Sequence, residues 1–238
     1  MIEIHSLSAI DHILSHRSER ISEIIFHIPE SSWSERLSNL QKAAAKLQIR
    51  CKTVIPVKKP DVFEPVTAIL SPFPYWDLKS FIARLATKEK AFVLALDHLQ
   101  DPQNLGALAR TAEALGLDGI VIPKDRSAQV TAGAYHASVG AVETIPIVQV
   151  TNIGEALRKL KENECWIIGS SLGENSKPPS ETPTFDKKVL VLGRELEGMH
   201  DAITKTCDWL VQIPLTGKVQ SLNVSSAGAI LMYELSPL

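Results

Sequence analysis

From Ala91 onward, short apolar runs alternate with segments in which apolar residues recur at helical spacing. Fully apolar runs indicate strands buried on both faces, and a period of three to four residues indicates amphipathic helices. The pattern predicts strands over 91–96, 119–122, 145–150, 165–170, 189–192 and 209–213, and helices over 104–115, 129–139, 153–162, 199–206 and 223–235. This alternation predicts an α/β fold with a parallel sheet and helices on both of its faces.

The first sixty residues carry a shorter pattern of the same kind. Residues 8–15 read as a helix, and residues 23–28 and 51–57 read as strands. A capping-box pattern at 32–35 precedes a further helix with apolar residues at helical spacing. We therefore predict a small α/β unit over residues 1–57, which could recruit a substrate or could be a structural appendage.

Residues 58–90 differ in character from both neighbours. Prolines are dense in residues 58–76 and oppose regular structure there, and Asp77 then caps a predicted helix that ends near Leu85. We predict a linker followed by this helix. Basic and aromatic side chains of the linker, from Lys58 to Trp76, could contact RNA, but we favour docking of the aromatic residues on a neighbouring domain.

Composition excludes several classes of protein. The chain has 238 residues, of which 45% are hydrophobic and 22% charged, so it is not a disordered sequence. The net charge of -2 gives no sign of a nucleic-acid partner, although residues 1–90 hold 13 basic against 10 acidic residues. Three unpaired cysteines without metal-like spacing, and no signal-peptide or membrane-spanning pattern, predict a cytoplasmic protein without a metal site.

Polar residues cluster where three of the predicted strands end. The segments are Asp97–Gly106, Gly193–Gly198 and Leu215–Asn223. Parallel sheets bind ligands at the carboxyl ends of their strands, so these loops are the candidate site. The first loop lacks the glycine pattern of dinucleotide-binding folds, and the second lacks the lysine of a phosphate-binding P-loop.

Three segments carry a family resemblance. The sequences NLGALARTAEALG (104–116), LVLGRELEGM (190–199) and IPLTGKVQSLNVSSAGAILMYE (213–234) resemble the three motifs of the SpoU (TrmH) family. These proteins are S-adenosylmethionine-dependent RNA 2′-O-ribose methyltransferases. The likeness covers residues 91–238 in motif order and spacing and includes PKDRSAQ (123–129). It is greatest to the branch that methylates a guanosine ribose in bacterial 23S rRNA.

The resemblance implies more than the pattern of apolar residues can. It implies a trefoil knot of the SPOUT type in the 91–238 domain, with the second and third motif loops packed together as the cofactor site. It also implies a homodimer whose active sites are completed across the interface. Residues 3–6 stand where this branch begins a ribosomal-protein-like RNA-binding domain, which would make residues 1–57 that domain.

Motif positions imply the roles of individual residues. The residues expected to hold S-adenosylmethionine, largely through backbone groups, are Gly193, Ile213, Leu222, Leu192 and Leu215. Those expected at the catalytic centre are Arg110, Asn104, Glu195, Ser221 and Asn223. Asn104 and Glu195 would support Arg110 and the ribose, whereas Ser221 and Asn223 would shape the cofactor loop.

Alternatives stay open at three points. Arg110 could act as the general base or, because an arginine pKa above about 12 disfavours the neutral form, could stay charged and stabilise the forming alkoxide. Without the motif context, an ion pair with Glu113 would explain it. Arg194 and Leu196 replace small residues of the family pattern, and residues 64–66 lack a segment that the relatives carry at the end of the front domain. These departures leave the RNA target open. A tRNA methyltransferase and a non-catalytic RNA-binding or ribosome-assembly protein are the alternative functions.

Overall fold

The amino-terminal part of the chain forms a four-stranded mixed sheet. The computed structural model describes residues 1–56, 64–173, 175–194 and 198–236. The strands are β1 (Ile2–Ile4), β2 (Ile21–Phe26), β3 (Arg50–Thr53) and β4 (Val66–Leu70), in the order β1-β4-β2-β3. Strand β4 runs antiparallel to β1 and β2, whereas β3 runs parallel to β2. Helices α1 (Leu7–His16) and α2 (Glu35–Lys46) bury their apolar faces in the same core.

Two predictions for this region are wrong. The prolines predicted irregular structure through residue 76, yet Val66–Leu70 forms β4 and lies between β1 and β2. The first sheet therefore extends beyond the predicted boundary at residue 57. The capping box at 32–35 does not form either, because the hydroxyl of Ser34 caps α2 by accepting from the Leu37 backbone N–H at 3.3 Å. The linker residues 57–63 lie outside the described ranges.

The main sheet has six parallel strands, as the apolar pattern predicts. They are β5 (Ala91–Leu96), β6 (Gly119–Pro123), β7 (Ile147–Val150), β8 (Trp166–Ser170), β9 (Lys187–Leu192) and β10 (Trp209–Val211). Their spatial order is β10-β8-β9-β5-β6-β7, and each neighbouring pair is parallel. The helices are α3 (Leu78–Ala86), α4 (Pro102–Ala114), α5 (Ala132–Ser138), α6 (Ile153–Glu162), α7 (Asp201–Thr204) and α8 (Val224–Leu235).

Both faces of the main sheet are covered, which explains why most residues of its strands are apolar. Alternate residues of β5 and β9 point to opposite faces. Leu94 and Leu190 pack with α4, α5 and α8, whereas Val93 and Val189 pack with α3, α6 and α7. No helix among the described residues has the length and hydropathy that crossing a bilayer requires.

The two sheets share one hydrophobic core and one buried polar network. Arg20, at the start of β2, forms an ion pair with Glu143 at 3.0 Å, and both side chains are almost fully buried. The Tyr135 hydroxyl donates to the same carboxylate, and Arg20 also donates to the Pro72 carbonyl at 2.7 Å. The amino-terminal sheet is therefore fixed to the main sheet through buried contacts.

The aromatic residues of the predicted linker dock on the main sheet, as we favoured. Phe73 and Tyr75 pack against the core, and the Val130 backbone N–H donates to the Tyr75 hydroxyl at 2.9 Å. The Trp76 backbone bonds to both neighbours of Val148, beside the edge strand β7. Asp77 then caps α3, because its carboxylate accepts from the Ser80 N–H at 2.9 Å.

Candidate functional site

The first and third polar loops meet at the carboxyl edge of the main sheet. Asn223 caps α8, since its side-chain oxygen accepts from the Ser225 backbone N–H at 2.8 Å. Its amide nitrogen donates to the side-chain oxygen of Asn104, at the start of α4, at 3.2 Å. Two predicted site residues that are far apart in the chain are thus in direct contact.

The second loop begins at Gly193, where the chain turns back on itself. Arg194 and Gly198 exchange two backbone hydrogen bonds, of 3.0 and 3.2 Å. A Cβ placed on Gly193 would lie 2.1 Å from the backbone carbon of Gly198, so any side chain there is excluded. The preceding residue, Leu192, is buried, and its carbonyl accepts from the Asp97 N–H at 2.8 Å. Glu195 and Leu196 lie outside the described residues.

The third loop offers main-chain polar groups beside apolar side chains. Among the described residues, no backbone N–H from 213 to 222 donates a hydrogen bond within the protein. Ile213 and Leu222 are half-buried, and Leu215 is more exposed. Unpaired main-chain donors next to apolar surface can read the polar edge of a flat heterocycle, so this loop fits an adenosine-containing cofactor.

The structure does not bring all the predicted catalytic residues together. Arg110 is exposed on α4, and six residues along a helix place it roughly 120° around the axis from Asn104. Within the described part of the chain it forms no ion pair with Glu113. Ser221 is exposed in the third loop. Within one chain, therefore, Arg110 stands apart from the contact between Asn104 and Asn223.

A hydrogen-bonded cluster that the sequence reading did not identify lies beside the second loop. The buried carboxylate of Asp97 accepts from the His200 backbone N–H and Nδ1, both at 2.8 Å, and from His98 Nδ1 at 2.7 Å. Burial tends to raise the pKa of Asp97, but these hydrogen bonds outweigh it and hold the pKa below its usual range. Nε2 of His200 contacts the guanidinium of Arg194.

This cluster connects the first strand end to the second motif loop. The ligand-type atoms of Asp97, His98 and His200 lie within 4.8 Å of one another, a spacing that a metal could use. Both Nδ1 atoms are, however, already bonded to the carboxylate. Through His200, the Asp97 carboxylate is therefore linked by hydrogen bonds to Arg194, next to the turn at Gly193. In the sequence, Asp97 directly follows a predicted buried strand, and this position could have identified it as a candidate site residue. The residues around His200 contain no comparable indication.

Comparisons with known proteins agree with this geometry. The model of the SpoU rRNA methylase family matches residues 91–233, more than half of the chain. A protein of Staphylococcus saprophyticus named for TrmH-family tRNA/rRNA methyltransferases is 40% identical over 171 residues, which are 71% of this chain and 68% of that protein. A protein of the same name from Staphylococcus aureus is 35% identical over 214 residues, covering 87% of this chain and 86% of that one.

A solved structure shows the same fold. The SpoU methyltransferase AviRb from Streptomyces viridochromogenes, in complex with the cofactor AdoMet, superposes with a TM-score of 0.81. The match covers 98% of this chain and 88% of AviRb at 20% sequence identity. The family model, the relatives and the contact between the motif loops lead to one conclusion: this chain belongs to the SpoU rRNA methylase family.

Proposed function

We propose that this protein transfers a methyl group from S-adenosylmethionine to the ribose 2′-hydroxyl of a guanosine in RNA, with 23S rRNA as the substrate. The observation that carries the proposal is the direct hydrogen bond between Asn104 and Asn223. It joins the first and third motif loops at the carboxyl edge of a parallel sheet, where such sheets bind ligands.

The cofactor would lie between the turn at Gly193 and the loop from Ile213 to Leu222. The main-chain N–H groups of that loop, which donate no hydrogen bond to the described residues, and the half-buried Ile213 and Leu222 side chains suit the adenosine part. Leu192 would close the base of the slot, with Leu215 at its rim. When bound, the cofactor supplies an electrophilic methyl group on a sulfonium, so the protein needs no metal for this chemistry.

Arg110 would act on the ribose hydroxyl. A guanidinium that remains charged can stabilise the forming alkoxide or position a neighbouring phosphate. As a general base it would have to lose a proton first, against a pKa above about 12. We therefore assign Arg110 to charge stabilisation, with Asn104, Glu195, Ser221 and Asn223 as the polar residues that shape the site.

The orientation of Arg110 supports a homodimer. Among the described residues, Arg110 is exposed and makes no hydrogen bond or ion pair with the cofactor loops of its own chain, so it is free to serve a site completed by a second copy. On the neighbouring helix α8, Ile230 and Tyr233 are 39% and 55% exposed, although both are apolar or aromatic. Three residues apart, they share one helix face. This face beside α4 is the surface that we propose the two copies share.

The path of the carboxyl-terminal segment supports the knotted fold. Strand β10 lies at one edge of the main sheet, but Asn223 contacts Asn104 on α4, which follows β5 three strands away. The segment after β10 therefore crosses the ends of β8 and β9 beside the folded-back loop at Gly193. A knot formed by threading this segment through a loop would be rare among proteins, and here it would build the cofactor slot.

The amino-terminal unit would bind the RNA. Residues 1–90, which include this unit, hold 13 basic against 10 acidic residues, whereas residues 91–238 hold 12 against 17. Its buried attachment through Arg20 and Glu143 gives it a fixed orientation relative to the methyl-transfer site. A fixed second contact suits a large folded RNA, which favours rRNA over tRNA.

Methyl transfer to purified RNA tests the proposal. Labelled methyl from S-adenosylmethionine is offered to unmodified 23S rRNA and, in parallel, to unmodified tRNA. Wild type, Arg110→Ala and the control Arg158→Ala, which alters an exposed arginine on α6, are compared. We expect ribose-methylated guanosine in 23S rRNA, with loss of at least 100-fold in Arg110→Ala and none in the control.

Other results would change the assignment in distinct ways. Label in tRNA alone would keep the chemistry and replace the substrate. Cofactor binding without label in either RNA would favour a non-catalytic RNA-binding protein. Label on a base rather than on the ribose would contradict the proposed acceptor atom.

A further inference from the structure

A second pocket lies at the opposite edge of the main sheet from the motif loops. It has a volume of about 310 Å³ and is formed at the amino ends of β5 and β9, near the end of α8. Its lining includes three lysines, two aromatic residues and one buried aspartate: Lys88, Lys90, Lys188, Phe92, Phe185 and Asp118. Leu115 and Gly116, at the end of the first motif segment, also line it, but none of the residues in the three polar loops does, so the pocket is separate from the proposed cofactor site.

Lys188 is an unusual residue for its position. It is only 7% exposed and lies on the face of β9 that Leu190 and Leu192 also occupy, where alternation along the strand favours an apolar side chain. Its Nζ lies 5.2 Å from the centre of the Phe92 ring. Among the described residues, no hydrogen bond or ion pair reaches that Nζ. Burial, and then the charge of Lys90, lower the pKa of Lys188.

Neighbouring carboxylates do not neutralise this ammonium. Asp118 is already engaged, because it pairs with Lys88 and accepts from the Phe92 backbone N–H at 2.8 Å. Asp186 also lines the pocket, but it is exposed, and among the described residues it forms no ion pair with Lys188; its charge raises the pKa of Lys188. The pocket therefore holds more positive than negative charge, and its most buried cation has an aromatic ring as its only described partner.

We propose that this pocket binds a phosphate group, with Lys188 and Lys90 as the cationic ligands. Burying an ammonium group without an anionic partner raises the free energy of the folded protein, and an anion bound in the pocket would offset this. Lysine binds phosphate as a point charge and needs no forked geometry. Phe185 lines the pocket and stacks on Trp166, with the ring centres 4.6 Å apart, and Trp166 is 48% exposed. This aromatic pair offers a surface on which the base attached to the phosphate can stack.

The phosphate could belong to an RNA backbone or to a free nucleotide, because both present the same group. The proposal does not depend on methyl transfer, since the pocket shares no residue with the motif loops. Its test therefore measures binding alone and leaves the activity assay independent.

Three charge-removing variants provide the test. Lys188→Met and Lys90→Met alter the pocket, and Lys79→Met alters an exposed lysine on α3 as the matched control. Calorimetric titrations use inorganic phosphate and guanosine monophosphate, and filter binding uses a 23S rRNA fragment over a range of salt concentrations. Lys188→Met removes a buried unpaired charge and should fold as well as wild type. Lys90 is exposed, so its variant keeps the test valid if Lys188→Met does not fold.

We expect wild type and Lys79→Met to bind guanosine monophosphate saturably, with affinity at least tenfold weaker in Lys188→Met and about threefold weaker in Lys90→Met. If the natural phosphate is in RNA, Lys188→Met also weakens rRNA binding, and the slope of log affinity against log salt falls by roughly 0.7–0.9. An unchanged slope with loss of nucleotide binding assigns the pocket to a free nucleotide. Equal affinities of all three variants for phosphate, nucleotide and RNA would overturn the proposal.

Discussion

The buried ion pair between Arg20 and Glu143 makes a strong prediction about stability. Arg20 donates from Nε to both carboxylate oxygens of Glu143, at 3.0 and 3.1 Å, and from Nη1 to the Pro72 carbonyl at 2.7 Å. Side-chain exposure is 6% for Arg20 and 1% for Glu143. Arg20→Met keeps most of the packing volume but leaves a buried carboxylate without its cation, which costs about 3–5 kcal/mol.

An exposed pair in the same part of the chain supplies the control. Arg36 and Asp11 lie 2.8 Å apart with side-chain exposures of 51% and 37%. Solvent screens such a pair, so Arg36→Met should cost less than about 1 kcal/mol. Both variants remove one arginine and introduce the same side chain, so their difference isolates the effect of burial.

Urea unfolding, followed by circular dichroism and by tryptophan fluorescence, measures these free energies. For a chain of this length, a loss of 3–5 kcal/mol corresponds to a melting temperature lower by very roughly 6–20 °C. The double variant Arg20→Met/Glu143→Leu should recover much of the loss, because no charge is then left buried without a partner. The reasoning is refuted if Arg20→Met costs no more than Arg36→Met, or if the double variant is as unstable as the single variants added together.

Three further predictions follow from individual residues. Gly193→Ala should abolish S-adenosylmethionine binding in calorimetry, because its new Cβ would lie 2.1 Å from a backbone atom. The control Gly217→Ala, which has open space at its Cβ, should bind normally. Equal binding by the two variants would contradict the tight turn at Gly193. Burial raises the pKa of Cys165 to about 11 and, with a neighbouring aspartate, that of Cys207 to about 12, so iodoacetamide at pH 8 should label both only after unfolding; rapid labelling of the native protein would be the opposite result. Because the pKa of Asp97 is lowered by folding, its contribution to stability is complete above its unfolded pKa of about 3.9 and is lost as pH falls through its folded pKa. In Asp97→Asn, the melting temperature should therefore fall less steeply between pH 5 and 2 than it does in wild type. An equal fall in both proteins would refute the assignment.

The main sheet could be predicted because burial on both faces strongly favours apolar residues along its strands, with Lys188 as an exception. All six of its strands lie at the predicted apolar runs, and the differences are confined to strand ends; the last strand, for example, stops at Val211. Strand β4 was missed for an identifiable reason. Pro65 and Pro72 flank the run VTAIL without interrupting it, so the density of prolines outweighed an apolar signal that was present.

The candidate site was predictable only in part. Asn104, Gly193 and Asn223 stand in motifs, and the hydrogen bond between the two asparagines fits their expected proximity. His200 has no local signal, because its importance comes from a carboxylate 103 positions earlier in the chain. The orientation of Arg110 is likewise invisible in the motif, since the position of a residue on a helix says nothing about which neighbouring helix covers that side.

The sequence by itself determined the parallel α/β sheet, the positions of its strands and most of its helices, and the three polar loops, because hydrophobic periodicity and motif spacing are local properties of a chain. Only the tertiary structure decided how distant segments meet. It placed Asn223 against Asn104, braced the second loop with Asp97 and His200, fixed the amino-terminal sheet through Arg20 and Glu143, and left the Lys188 ammonium buried beside a pocket. These contacts depend on the strand order β10-β8-β9-β5-β6-β7. That order results from packing helices on both faces of the sheet, so it cannot be predicted from any single segment of the sequence.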